Sequence, residues 1–103
     1  MKLTLLYFDG CPSWQTAEAR LHEALAAVGL EDQEVELELV SSQEDAERLG
    51  FRGSPTILID GADPFANESV PLGLSCRLYQ TEKGLEGAPS AAQLGELLRR
   101  ASG

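Results

Sequence analysis

Residues 2–14 read Lys2-Leu3-Thr4-Leu5-Leu6-Tyr7-Phe8-Asp9-Gly10-Cys11-Pro12-Ser13-Trp14. The run 2–8 is rich in apolar and aromatic side chains with no polar alternation, which suits a strand covered on both faces, as in a parallel sheet. Asp9 and Gly10 make a turn. Cys11-Pro12 then opens a helix, because proline at the first helical position lacks only an N–H that would have no partner there. The helix is expected to reach about Val28, with Trp14, Ala17, Leu21, Leu25 and Val28 as its buried stripe. Gly29 stops it, since glycine takes the left-handed conformation at little cost.

Outward from this unit, residues 34–40 alternate Val35, Leu37 and Leu39 against Glu34, Glu36 and Glu38. That predicts an edge strand with one wet face. Ser41 and Glu44 stand at capping-box spacing before a short helix ending near Leu49, with Gly50 behind it. Residues 56–60 form a third, β-branched strand, and 74–80 a fourth. Between them, 61–73 is a long loop carrying Asp63, Phe65, Asn67 and Glu68. The third strand should run away from Cys11, so this loop is expected at the opposite pole, as a tolerated insertion. Residues 81–89 read as turn and loop. Ser90, with Gln93 at box spacing, caps a last helix whose inner face is Leu94, Leu97, Leu98 and Ala101. The order β-α-β-α-β-β-α predicts one α/β domain over residues 1–103. Its first two strands should pair in parallel and its last two antiparallel, giving a four-stranded mixed sheet with helices on both faces.

The totals narrow the function classes. The chain has 103 residues, with 17 acidic against 8 basic side chains and a net charge of −9. A phosphate backbone or an anionic membrane surface would be repelled, so neither nucleic acid nor membrane is an expected partner. No stretch is long and apolar enough to span a bilayer. The N-terminal apolar run lacks a cleavage site, which makes the cytoplasm, where thiols stay reduced, the expected compartment. Two cysteines do not make a structural zinc site, and His22, on the solvent side of the first helix, is far from both; no metal or cofactor is expected. The glutamates of the edge strand would repel a second copy, so a monomer is expected.

Cys11-Pro12-Ser13-Trp14 stands after the first strand and at the head of the first helix. Ser54-Pro55-Thr56-Ile57 stands at the start of the third strand. In this order the two motifs, with the element order around them, resemble the thioredoxin and glutaredoxin superfamily. The resemblance implies a thioredoxin-like fold, a cis Ser54–Pro55 bond lying against Cys11, and substrate contacts from Pro12, Ser13, Trp14, Ser54, Pro55 and Thr56. Small relatives are sometimes labelled alkylmercury lyases. Three departures are visible: Trp14 replaces the second cysteine of the Cys-x-x-Cys motif, Leu5 stands about where thioredoxins carry a buried acid, and the loop between the last two strands is much longer than the family's tight hairpin.

Cys11 is the candidate catalytic residue. A helix N-terminus stabilises a thiolate through unpaired N–H groups, here those of Ser13 or Trp14, whereas a nearby Asp9 carboxylate would oppose it. The competing reading is a buried, inert cysteine. Pro55 reads either as cis, leaving the Ser54 backbone free to pair with an extended substrate, or as an ordinary trans proline opening an edge strand. Trp14 either covers the thiol or belongs to the helix stripe. Cys76 is the candidate resolving thiol. If Asp60 pairs opposite Leu74, however, Cys76 lies about 10 Å along the sheet from Pro55, too far for a disulfide and more suited to the core.

Three functions fit. The first is a thiol redox protein with one active-site cysteine, exchanging with a disulfide-bearing protein or a small thiol such as glutathione. The second is a non-catalytic binding module for a peptide, a protein partner or a soft metal ion. The third is an organomercurial lyase using Cys11, Cys76 and a carboxylate such as Asp9.

Overall fold

A computed structural model of the chain describes residues 1–66 and 69–102. Its central element is strand β1 (Leu3–Tyr7), buried along its first four residues. As the two-residue period of a strand requires, Leu3 and Leu5 face one layer and Leu6 the other. On the first face, Leu3 and Leu5 meet Ala17, Leu21, Ala24 and Leu25 of helix α1 (Ser13–Ala27). They also meet Leu94 and Leu98 of a C-terminal helix, α3 (Ala91–Ser102). On the second face, Leu6 packs with Val40, Phe51 and Ala46, the last in helix α2 (Gln43–Leu49). The expected stripe of α1 holds, with Ala24 added and with Trp14 and Val28 only partly buried.

Strand β2 (Val35–Leu39) pairs in parallel with β1, Leu5 opposite Leu37. Strand β3 (Thr56–Ile59) pairs antiparallel on the other side, Leu5 opposite Ile57. The order is therefore β2-β1-β3. Because β3 opposes β1, it begins beside Leu6, at the end from which the chain leads on to Cys11, and finishes beside Leu3.

This is an α/β chain with a mixed sheet and helices on both faces, but the expected four-stranded sheet is not what forms. The main sheet has three strands, and a separate hairpin joins β4 (Tyr79–Thr81) to β5 (Gly84–Glu86). Strand β4 is shorter than the predicted 74–80 and pairs with β5, not β3. Arg20 of α1 fixes the hairpin, its guanidinium donating to Glu86 at 2.7 Å and to the Ala88 and Pro89 carbonyls. Helix α3 (Ala91–Ser102) begins with the expected capping box: Gln93 N–H donates to Ser90 Oγ, and Ser90 N–H to Gln93 Oε1.

Two local expectations shift. The cap of α2 is Ser42, not Ser41; its backbone is extended and its Oγ accepts from Asp45 N–H at 3.1 Å. The inner face predicted for β2 is open as well, since Leu37 and Leu39 are 44% and 45% exposed and only Val35 reaches a core cluster. Among the described residues no helix is long and apolar enough to cross a membrane.

Candidate functional site

The turn after β1 is closed by Cys11 N–H donating to the Phe8 carbonyl at 3.3 Å. Pro12 then sits at the N-cap of α1, one position before the one expected. No side chain caps this helix start, and its first turn holds no acidic residue. The unpaired first-turn N–H groups therefore leave a positive end next to Cys11. Asp9 is exposed on the turn. Trp14 is half-buried, stacked on Tyr7 with ring centroids 4.4 Å apart and packed against the α1 core. It thus belongs to the helix stripe.

The Ser54–Pro55 peptide bond is cis, as the resemblance implies. Ser54 is fully buried, and its Oγ accepts from Phe8 N–H at 3.2 Å, tying the head of β3 to the end of β1. Its backbone is not free. Ser54 N–H donates to the Ser75 carbonyl at 2.7 Å, and Arg77 N–H donates to the Ser54 carbonyl at 3.0 Å. The residue between those partners is Cys76, in a parallel bridge with Ser54. Gly53, at φ 122°, makes this approach feasible: a Cβ there would come within 2.9 Å of Arg77 Cβ and 3.2 Å of the Ser75 carbonyl oxygen.

Cys11 and Cys76 are joined as a disulfide, with Cα atoms 5.7 Å apart across 65 positions of sequence. This overturns the expected separation of about 10 Å. That separation assumed a hairpin of β3 with residues 74–80. Instead the loop folds back from the far end of the sheet and lays 75–77 across the head of β3. The loop is therefore not a remote insertion. Two of its residues named from the sequence, Asn67 and Glu68, lie outside the described residues.

Arg77 fixes the returning segment. Its guanidinium is buried and donates to Asp63 at 2.8 Å, to the Phe65 carbonyl at 2.6 Å and to Thr56 Oγ1 at 3.2 Å. It also stands 4.7 Å above the Tyr79 ring. The Tyr79 hydroxyl donates to the Pro55 carbonyl, and burial pushes its ionisation above the ordinary tyrosine range. Thr56 Oγ1 in turn donates to the Gly53 carbonyl at 2.7 Å. Beside these groups a cavity of about 580 Å³ opens, walled by Phe65, Ala66, Val70, Leu78 and Tyr79 and lined also by Cys76 and the uncharged Gln80.

The structure thus gathers Cys11, Cys76, Ser54, Pro55 and Thr56 at one place. Sequence reasoning missed Arg77, Tyr79 and Gly53. The available signals were an arginine directly after a cysteine and a glycine directly before Ser54-Pro55. His22 is exposed, 4.0 Å from Glu18, and takes no part. Among the described residues no group of three or more His, Cys, Asp or Glu side chains could hold a metal ion, so no carboxylate joins the two cysteines as a ligand. No family model matches the sequence, and neither a curated protein nor a solved structure matches it.

Proposed function

We propose that the chain is a thioredoxin-like thiol–disulfide exchange protein whose redox pair is Cys11 and Cys76. The fold side of this reading is supported by the order β2-β1-β3, by α1 and α3 on one face with α2 on the other, and by the cis-proline at the head of β3. The usual strand beside β3 is replaced here by the short bridge through Cys76. The chemical side is carried by one observation: the cysteine at the uncapped head of α1 is bonded to an exposed cysteine on a polar-tied segment. With both cysteines in the same chain, a mixed disulfide on one can be resolved by the other without an outside thiol. The single-cysteine scheme thereby becomes a dithiol scheme without a Cys-x-x-Cys motif. A helix N-terminus favours the thiolate and so makes Cys11 a good leaving group in exchange.

The test is reduction of the native protein with dithiothreitol, without denaturant, followed by alkylation and mass counting. Expected are two alkylated cysteines, reversible on reoxidation, with the far-ultraviolet dichroism kept. Catalysed reduction of a model protein disulfide should follow, and should be lost in Cys11→Ser. A disulfide that opens only when the whole protein unfolds would make the pair a structural staple and end this reading. A pair that opens and closes without catalysing exchange would leave a binding module.

A further inference from the structure

We propose that Cys76, not Cys11, is the sulfur that meets the outside thiol, and that the cavity beside it receives an apolar residue next to a substrate cysteine in a peptide. This rests on the thiol-exchange reading above and assigns the roles within it. Cys11 is 3% exposed, while Cys76 is exposed. Cys76 lines the cavity and Cys11 does not. Access to Cys11 is further limited by residues 75–77, which hydrogen-bond to Ser54 on both sides of Cys76.

The cavity also selects. Phe65, Ala66, Val70, Leu78 and Tyr79 give it an apolar wall. Among the described residues Arg77 is the one cation lining it, and its guanidinium is already committed to Asp63, Thr56 Oγ1 and the Phe65 carbonyl. No charge is left over for a carboxylate, and a chain of net charge −9 repels anionic thiols. An uncharged, apolar-flanked cysteine fits this site better than glutathione, which carries two carboxylates.

The step balances as follows. A substrate thiolate attacks Cys76 Sγ. The new sulfur–sulfur bond forms as the Cys76–Cys11 bond breaks, and the electron pair leaves on Cys11 Sγ beside the first turn of α1. A second substrate thiolate then attacks the substrate sulfur of the mixed disulfide and releases Cys76 as thiolate. The substrate leaves as a disulfide, and its two electrons and two protons rest on Cys11 and Cys76. Reduction of a substrate disulfide is the reverse.

The experiment mixes oxidised wild-type protein with blocked cysteine dipeptide amides, Cys-Phe or Cys-Asp, and quenches with N-ethylmaleimide. Trypsin cuts after Arg52 and Arg77 and so separates Cys76 from Cys11 for mass analysis. Expected are the dipeptide on Cys76 and maleimide on Cys11, with Cys-Phe reacting about tenfold faster than Cys-Asp per thiolate. Leu78→Asp, at a side chain 64% exposed and therefore outside the packed core, should remove most of that preference. Mercaptoethanol serves as the neutral reference thiol. If mercaptoethanol fails to open the native disulfide, the exchange reading falls and this assignment with it. If it succeeds but the dipeptide is found on Cys11, or the two dipeptides react alike, the assignment falls and the exchange reading stands.

Discussion

The layer built on β1 and the segment that returns over it are held by different forces. In the first, Leu5, Leu21, Leu25, Leu94 and Leu98 are at most 1% exposed and pack with one another. In the second, Leu74 and Leu78 are 38% and 64% exposed, so apolar burial contributes little. There the chain is fixed by discrete ties: the disulfide, the Arg77–Asp63 ion pair, the Tyr79 hydrogen bond and two backbone bonds to Ser54. Packing is spread over many contacts, whereas ties are few and each can be cut by one chemical event. A disulfide placed between the two regions can therefore loosen one, when it is cut, while the other stands.

Breaking the packed layer should have the largest effect. Leu21→Ala is expected to lower stability by about 4 kcal/mol in urea unfolding, as for other fully buried leucines. A loss under about 1 kcal/mol would mean that α1 is not part of the core. Arg77→Met comes next, at about 3 kcal/mol, because it leaves the Asp63 carboxylate, 10% exposed, without its counter-charge. Amide exchange should show that loss concentrated in residues 60–81. Equal loss of protection in β1 would make the two regions one cooperative unit and undo the comparison. Reduction of the disulfide follows, at about 2–4 kcal/mol, the loop entropy freed across 65 positions setting the upper end. Thermal melts with and without reductant measure it, and β1 amides should stay protected in both.

The same division governs what could be read in the sequence. Residues 2–14 carry their structure locally: an apolar run, a turn and a proline at the helix start. Strand, turn and helix follow there with only a one-residue shift in the cap. The capping box at Ser90 is equally legible because its partners are three residues apart. Residues 74–80 are not. Local pattern would hide Leu74, Cys76 and Leu78, yet all three are exposed while Arg77 and Tyr79 are buried. The inversion depends on Asp63, 14 positions upstream, which supplies the charge that lets Arg77 go inside. No short window of sequence encodes that pairing. The position of Cys76 depends on it in turn, so the turn that carries Cys11 was legible and the place of its disulfide partner was not.

The smallest expected effect tests the tie nearest the cis-proline. Tyr79→Phe removes the hydroxyl that donates to the Pro55 carbonyl and should lower stability at neutral pH by about 1 kcal/mol. The variant also separates the two regions by their response to alkali. Burial raises the Tyr79 phenol above its ordinary value; the Arg77 charge pulls it back only in part, and the Asp63 charge adds to the rise. Below about pH 10 the phenol is protonated whether the chain is folded or unfolded, and its contribution is fully present. As pH rises past that point the unfolded chain loses the proton first. The unfolded state then binds fewer protons than the native one, and stability falls with pH. Urea unfolding from pH 8 to about pH 11.5 should thus show a steeper decline for the wild type than for Tyr79→Phe, groups common to both cancelling in the difference. Parallel curves would mean that Tyr79 ionises freely in the folded protein. The returning segment would then be open to water at the Pro55 carbonyl, and the tie that completes the second region would not exist.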